Sequence, residues 1–159
     1  MIEVKSLCKS YGKVKALNTV DIQALPGRVT GILGPNGCGK TTLIKSVLGL
    51  VVADSGEVLV TGQNVLHGCD YRNDIGYVPQ NAQFPNNLTA IELFAMIEDL
   101  RKKNSMRQTE LIDLFDLHPH LNKPLGTLSG GTPQKVALVL GFMFDPQVLI
   151  LDEPTVGLD

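Results

Sequence analysis

The spacing of hydrophobic residues changes along the chain, and the change lies near residue 85. Before it, short apolar runs with partial alternation predict β-strands over residues 2–7, 19–24, 57–61 and 75–78. A β-branched apolar run over residues 29–33 predicts a further, buried strand. The first half of the chain is therefore expected to consist mainly of strands.

Beyond this point the apolar residues recur at helical spacing. Thr89 and Glu92 form the pattern of a capping box, which predicts a helix from residue 90 to about residue 103. Ser105 and Gln108 repeat the pattern and predict a second helix. The stripe that this helix is expected to bury consists of Leu111, Leu114 and Phe115. Both helices are expected to form an inserted helical subdomain.

A third helix and a final strand complete the pattern. Ser129 is a typical N-cap, and residues 136–144 are apolar on all sides, as in a buried helix. Residues 148–151 form a continuous apolar run, which is typical of a parallel strand covered on both faces. The whole pattern predicts an α/β fold.

One glycine-rich stretch separates the predicted strand 29–33 from a predicted helix. Residues 34–41 read GPNGCGKT and match G-x-x-x-x-G-K-[ST], the pattern of a phosphate-binding P-loop. Its glycines let backbone N–H groups approach an anion, and the following helix directs its positive dipole end there. Lys40 can reach the β- and γ-phosphates, and the Thr41 hydroxyl can hold Mg²⁺. The apolar face of the helix is Leu43, Ile44, Val47 and Leu48.

Two acidic residues, Asp152 and Glu153, follow the last predicted strand. In an open parallel sheet, ligands bind outside the carboxyl ends of the strands, where a P-loop also lies. Adjacent residues at a strand end point in different directions. Asp152 is therefore expected to coordinate Mg²⁺ through water, and Glu153 to act as the general base for an attacking water.

Three further candidates have a functional and a structural interpretation on residues alone. An exposed aromatic at Tyr11 can stack on a purine, although a tyrosine at a strand end more often packs. Gln80 follows strand 75–78 and is either a ligand of Mg²⁺ or the attacking water, or an ordinary loop amide. The N–H donors of residues 129–131 suit an anion, and a plain helix start explains them equally well.

Composition narrows the class of protein. The chain has 159 residues, of which 43% are hydrophobic and 19% charged, as expected of about one folded domain. It has neither an apolar run long enough for a membrane span nor a signal-peptide pattern, so we expect a cytosolic chain. A net charge of −2 argues against a nucleic-acid binder. The three cysteines include no C-x-x-C pair, which fits a reducing compartment without structural zinc.

Together these motifs resemble the nucleotide-binding domain of ABC (ATP-binding cassette) ATPases over essentially the whole chain. The P-loop, Gln80 in YVPQ, LSGG at 128–131, LILDEP at 149–154 and GLD at 157–159 occur in the family's order with about its spacings. The resemblance implies a P-loop NTPase fold, with a RecA-like mainly parallel sheet, an N-terminal antiparallel β part and an inserted helical subdomain.

The resemblance also implies a division of the chain. Residues 1–85 would form the nucleotide-binding β part with the P-loop core. Residues 86–145 would form the helical subdomain with the signature helix. Residues 146–159 would carry the Walker B strand and the D-loop of a domain that continues beyond them, and Asp159 would belong to the loop that links two sites.

The function that the resemblance implies is ATP hydrolysis in a head-to-tail dimer of two copies or of paired ABC subunits. Each ATP, with Mg²⁺, would lie between the P-loop of one subunit and the signature of the other. The dimer would drive an integral membrane permease at the inner face of the cell membrane, with no nucleic-acid partner. The implied nucleotide-binding residues are Tyr11, Asn36, Gly37, Gly39, Lys40, Thr41 and Thr42, with Ser129 and Gly131 completing the partner's site. The implied Mg²⁺ residues are Thr41, Gln80 and Asp152, and the implied catalytic residues are Glu153, Gln80 and Lys40.

The sequence departs from the family pattern in two places. LSGGTPQK stands where LSGGQ followed later by arginine is usual, and Pro133 removes an early helix N–H. The family also continues beyond the position of Asp159, with a switch histidine, and no histidine here follows LILDEP. We therefore expect this 159-residue chain to bind nucleotide weakly and to hydrolyse ATP poorly or not at all.

Two alternatives accompany the transporter interpretation. One is a soluble ABC protein that acts on ribosomes, DNA or iron–sulfur assembly, and the other is a nucleotide-binding fragment that dimerises without turnover. Within the family, FPNNLTAIELFAMIEDL, GGTPQK and EPTVGLD are similar to ATPases of bacterial export-type transporters. They are most similar to the accessory ATPase type for copper-site maturation of nitrous oxide reductase.

Overall fold

An antiparallel sheet forms the framework of the first of two structural units. The computed structural model describes residues 1–154, and the units are Met1–Arg72 and the residues from Asn73 onward. The sheet has the order β2-β1-β3-β4. Its strands are β1 (Ile2–Tyr11), β2 (Val14–Ala24), β3 (Ser55–Val60) and β4 (Gln63–Asn64). The strands predicted over residues 2–7, 19–24 and 57–61 are confirmed. The first two extend further, into one long hairpin that turns after Tyr11.

Helix α1 (Lys40–Val47) covers this sheet, against which its apolar face is buried. Leu43, Ile44 and Val47 are buried in α1, as the sequence predicts. The strand predicted over residues 29–33 is wrong, because this segment has no strand structure and Val29 and Leu33 are almost fully exposed. A strand needs a neighbour for its backbone hydrogen bonds. The four strands of this unit pair with one another and none pairs with this segment.

Two parallel strands organise the second unit. They are β5 (Ile75–Val78) and β6 (Val148–Leu151), paired in register from Ile75 opposite Val148 to Val78 opposite Leu151. Both have the predicted bounds. The prediction that β6 is covered on both faces is wrong, because its first three residues are half-buried and Leu151 is exposed. Within residues 1–154, β5 is the only strand that pairs with β6, so β6 is an edge strand.

Three helices surround an apolar core in this unit. They are α2 (Ala90–Arg101), α3 (Gln108–Leu114) and α4 (Thr132–Phe142). Their shared core includes Leu93, Phe94, Leu111, Ile112, Val136, Val139 and Met143. Short 3-10 segments lie at Asp70–Asp74, His118–His120 and Leu125–Thr127. The region predicted as helical is therefore helical.

The capping box at the start of α2 is confirmed. Thr89 Oγ1 accepts a hydrogen bond from the Glu92 backbone N–H (3.3 Å), and Glu92 Oε2 accepts one from the Thr89 backbone N–H (2.8 Å). The backbone and hydroxyl hydrogen bonds from Thr89 lower the pKa of the Glu92 carboxyl. Helix α2 begins at the predicted residue and ends at Arg101, two residues before the predicted end.

Replacing Thr89 with alanine in the full-length protein should lower the free energy of unfolding by about 1 kcal/mol, because the N-cap acceptor is lost. Urea unfolding followed by circular dichroism measures the loss. Thr109→Ala is the matched control, since Thr109 is exposed inside α3 and alanine is the better helix former there. Equal urea midpoints for the two variants would contradict this role of Thr89.

The cap predicted for α3 is wrong. The N-cap is Arg107, whose guanidinium donates to both carboxylate oxygens of Glu110 (3.0 and 2.7 Å). The Ser105 backbone N–H instead donates to Glu98 Oε1 (2.6 Å) of α2, so residue 105 is held by the preceding helix. In the predicted stripe, Leu111 is buried but Leu114 is 66% exposed. Tertiary contacts fix both the start of α3 and the face that it buries.

The start of α4 also differs from the prediction. Gly131, not Ser129, is the N-cap, and no side chain caps the helix. Pro133 lies in the first turn, where a backbone N–H has no partner within the helix, so the proline is compatible with this start. The remainder of α4 is buried as predicted. A Cβ at Gly141 would lie 2.6 Å from Val78 Cγ2, so this glycine lets α4 approach β5 closely.

Candidate functional site

The predicted phosphate loop lies in the first unit, between β2 and α1. A turn closes it, in which the Cys38 backbone N–H donates to the Pro35 carbonyl (3.3 Å). Helix α1 begins directly after Gly39, and no side chain caps its first N–H groups. These N–H groups and the positive end of the helix dipole can therefore bind an anion.

Glycine is required at position 39 both by the backbone conformation there and by the neighbouring atoms. Its φ is +102°, a left-handed conformation that other residues rarely adopt. A Cβ here would collide with the Ala16 carbonyl oxygen of β2. Ala16 is two residues from Val14, which pairs with Tyr11 at the hairpin turn. The loop therefore packs against the hairpin near Tyr11.

Lys40 closes the loop. Its ammonium group donates hydrogen bonds to the carbonyl oxygens of Gly34 (2.8 Å) and Pro35 (3.1 Å). These contacts hold a positive charge at the same loop that presents the helix N–H groups. Thr41 is exposed in the first turn of α1, and Thr42 is half-buried beside it. Asn36 and Gly37 are exposed at the tip of the loop.

Tyr11 presents an aromatic surface at the end of β1. Tyr11 is 50% exposed, so part of its ring is open to solvent. The Lys9 ammonium lies 5.6 Å from the ring centroid and 2.9 Å from Asp54 Oδ1. This ammonium and the Ser10 backbone N–H lower the pKa of the Asp54 carboxyl, so Asp54 stays charged and holds the end of β1. Sequence reasoning missed this contact, which joins residues far apart in the chain.

The second unit brings Gln80 and Glu153 together. Because β5 and β6 are parallel and in register, the residues that follow them lie at the same edge. Gln80 Nε2 donates a hydrogen bond to Glu153 Oε2 (2.6 Å). Glu153 is exposed and has a φ of +48°, a conformation that is sparsely populated and found at functional sites.

Asp152 differs from Glu153 in its surroundings. It is buried, and its backbone N–H donates to the Val78 carbonyl (2.9 Å). Burial raises the pKa of the Tyr77 phenol, and the nearby negative charge of Asp152 raises it further. A buried carboxylate is costly unless it is paired or binds a metal. The two neighbouring acids therefore have different environments, as their order in the sequence predicts.

The LSGG segment precedes α4. Ser129 and Gly130 are exposed and Gly131 is half-buried. Because the Ser129 side chain does not cap α4, its hydroxyl is not used in the start of the helix. The N–H groups of the first turn of α4 are also uncapped, which suits an anion.

The predicted site residues divide between the two units. The first unit holds Tyr11, Asn36, Gly37, Gly39, Lys40, Thr41 and Thr42. The second holds Gln80, Ser129, Gly131, Asp152 and Glu153. Asp159 lies outside the described residues. Sequence reasoning also missed Gln134, a buried amide in α4 that donates to the carbonyls of Pro79 and Pro154. The sequence does not set Gln134 apart from its polar neighbours Thr132 and Lys135.

Comparison with known proteins assigns the chain to a family. The family model described as ABC transporter matches residues 17–156. The chain belongs to the ABC transporter family. Among curated members, it is 34% identical to the sulfate/thiosulfate import ATP-binding protein CysA of Methylococcus capsulatus, over 99% of this chain and 48% of that protein. It is 37% identical to the daunorubicin resistance ATP-binding protein DrrA3 of Streptomyces coeruleorubidus, over 99% of this chain and 52% of that protein.

Solved structures of ABC proteins have the same fold. An ATP-binding subunit of an ABC transporter superposes with a TM-score of 0.90 at 30% identity, covering 99% of this chain and 68% of its own. A dimeric bacterial ABC transporter cassette gives a TM-score of 0.89 at 28% identity, covering all of this chain and 76% of its own. The predicted P-loop NTPase fold is confirmed. The chain spans about half the length of the two curated relatives.

No helix within residues 1–154 is both long and apolar enough to cross a membrane. Nor does this part of the chain hold a group of three His, Cys, Asp or Glu side chains arranged to bind a metal ion.

Proposed function

We propose that this chain is the ATP-binding part of an ABC transporter and that the full-length protein hydrolyses ATP as a dimer that drives a membrane partner. The observation that carries the proposal is the Gln80–Glu153 hydrogen bond at the ends of two in-register parallel strands. It places a carboxylate and an amide together at the edge where ligands of parallel sheets bind. Family membership supports the same activity.

The nucleotide would be held by the phosphate loop and Tyr11. The N–H groups of residues 36–42 would bind the phosphates, and the exposed Tyr11 ring would stack on adenine. Lys40 now donates to two loop carbonyls, and its ammonium would pair with phosphate oxygens when nucleotide is bound. This exchange would couple occupancy of the site to the conformation of residues 34–35.

Mg²⁺ fits the donors that the chain offers. The Thr41 hydroxyl, the Gln80 amide oxygen and the Asp152 carboxylate are the oxygen ligands that Mg²⁺ prefers. Asp152 is the buried member of this set, and a bound cation would offset the cost of burying its charge. When bound, the ion would neutralise charge on the phosphate groups. Gln80 can serve here because the hydrogen bond to Glu153 uses its nitrogen and not its oxygen.

Catalysis would rest on Glu153 as the general base for the attacking water. The hydrogen bond from Gln80 Nε2 orients the Glu153 carboxylate, and Lys40 would stabilise negative charge on the γ-phosphate. Ser129 and Gly131 would complete the nucleotide site of the other subunit in the dimer. A similar cassette forms a dimer in its solved structure, which supports dimer formation here.

The partner would be an integral membrane permease, which would place the protein at the inner face of the cell membrane. The relatives named for sulfate import and for drug resistance support a transport role, but they differ in cargo. The membrane partner therefore decides the substrate. The accessory role in copper-site maturation of nitrous oxide reductase stays a prediction from three short motifs. The absence of a nucleic-acid partner also stays a prediction.

Purification of the full-length protein from its native membranes tests the proposal. We expect an integral membrane protein to copurify with it in detergent, and ATP with Mg²⁺ to be hydrolysed by the complex. Association with ribosomes that RNase abolishes would instead support a soluble ABC protein. A nucleotide-bound dimer that shows no turnover would support the non-catalytic alternative.

A further inference from the structure

The amide of Gln134 joins two loops that carry proposed catalytic groups. Gln134 is 6% exposed and lies in the first turn of α4. Its Nε2 donates hydrogen bonds to the Pro79 carbonyl (3.2 Å) and to the Pro154 carbonyl (3.4 Å). A side-chain amide has two N–H donors, so one residue can serve both acceptors.

Each carbonyl is adjacent to a proposed catalytic residue. The Pro79 carbonyl belongs to the peptide group that leads into Gln80, and Pro154 directly follows Glu153. Because a peptide group is planar, fixing the Pro79 oxygen also fixes the orientation of the backbone N–H of Gln80. The proline ring restricts φ at residue 154, so fixing its carbonyl restrains the chain that leaves Glu153.

The helix that carries Gln134 is itself held against β5. Gly141 lets α4 approach Val78, and α4 contributes buried residues to the core of the unit. The Gln134 amide is therefore attached to a rigid element, and the two loops are attached to it. Gln80 Nε2 lies 2.6 Å from Glu153 Oε2. Each of these residues is next to one of the two carbonyls that Gln134 holds.

We propose that Gln134 is a positioning residue for ATP hydrolysis. It sets the separation of the loops after β5 and β6, and through them the contact between Gln80 and Glu153. This inference rests on the proposed ATPase function. Gln134 has no role in holding nucleotide, so its loss should affect turnover and not ATP binding.

Gln134→Met in the full-length protein tests the inference, because methionine has nearly the same length and lacks the two donors. We expect kcat to fall about tenfold or more, since small displacements of catalytic groups have large effects on rate. The KM for ATP and the affinity for ADP should change less than about twofold, because binding that is equal in ground and transition states is retained. Steady-state ATPase assays and equilibrium binding of ADP measure these quantities.

Gln147→Met is the matched control. Gln147 Nε2 donates to Asp74 Oδ1 (3.3 Å), which joins the opposite ends of the same two strands. The substitution is the same and also removes a glutamine hydrogen bond between the loops flanking β5 and β6. If Gln134 acts by position, Gln147→Met should keep wild-type kcat. Equal losses in both variants would overturn the inference.

A double-mutant cycle with Gln80→Ala separates positioning from a general loss of structure. If Gln134 acts through the Gln80–Glu153 contact, Gln134→Met should add less than about threefold to the effect of Gln80→Ala. Fully multiplicative effects would contradict the inference. Should Gln134→Met fail to fold, Gln134→Asn replaces it, since the shorter amide reaches at most one of the two carbonyls.

These measurements distinguish a failure of the Gln134 inference from a failure of the proposed ATPase function. A wild-type protein that hydrolyses ATP, with Gln134→Met at wild-type kcat, overturns the positioning role and leaves the proposed function intact. A wild-type protein in its native complex that does not hydrolyse ATP overturns both. A selective fall in kcat for Gln134→Met, with Gln147→Met unchanged, supports both.

Discussion

Glu153→Gln in the full-length protein should lower kcat for ATP hydrolysis about a thousandfold while ATP binding is retained. General-base catalysis contributes rate factors of about 10²–10⁴, and an amide cannot accept the proton of the attacking water. The substituted amide oxygen can still accept the hydrogen bond from Gln80 Nε2, so the local structure should persist. A phosphate-release assay measures kcat.

The same variant tests the dimer. If two copies close on ATP and reopen after hydrolysis, Glu153→Gln should accumulate an ATP-bound dimer, visible by size-exclusion chromatography with light scattering. Glu110→Gln is a suitable control, because Glu110 is an exposed glutamate of the same unit that contacts Arg107. A Glu153→Gln protein that remains monomeric with ATP would argue against the dimer mechanism.

Lys40→Ala should weaken ATP binding about a hundredfold and reduce hydrolysis by at least as much, because the phosphates would lose the positive charge that the loop supplies. Lys40 also donates to the Gly34 and Pro35 carbonyls, so its loss removes two contacts that close the loop. Because the proposed exchange gives up these two contacts when nucleotide binds, the loss of affinity is expected from the lost phosphate contact. Titration with a fluorescent ATP analogue measures the affinity.

Lys45→Ala is the control for Lys40. Lys45 lies in the same helix and is exposed in its last turn, away from the phosphate loop. It should keep wild-type affinity and turnover. Wild-type ATP affinity in Lys40→Ala would show that residues 34–41 do not bind the phosphates, and the proposed site would then be wrong.

Local patterns predicted those elements whose cause is local. The capping box at Thr89 and Glu92 is confirmed because it uses groups three residues apart. Strands β5 and β6 have the predicted bounds because a short apolar run between turn residues specifies a strand, although β6 is less buried than predicted. The start of α1 after Gly39 follows from its backbone conformation.

Predictions failed where contacts between residues far apart in the chain determine the local structure. Ser105 has the pattern of an N-cap, but its backbone N–H is bound by Glu98 of the preceding helix. Leu114 has the spacing of a buried residue and is exposed, whereas Leu111 and Ile112 are buried in the core and Phe115 packs against it. Residues 29–33 have the composition of a strand without a strand to pair with. In each case the sequence does not show which distant residue or strand the segment contacts.

By itself the sequence determined the family to which this chain belongs. The phosphate loop, the LSGG segment and the acidic pair after the last strand each consist of neighbouring residues, and their order identifies the family. Only the tertiary structure decided that Gln80 donates a hydrogen bond to Glu153, that Gly39 packs against Ala16 and that Gln134 donates to the loops after β5 and β6. The physical reason is that these contacts join residues on different elements, and hydrophobic periodicity specifies which face of an element is buried but not which element covers it.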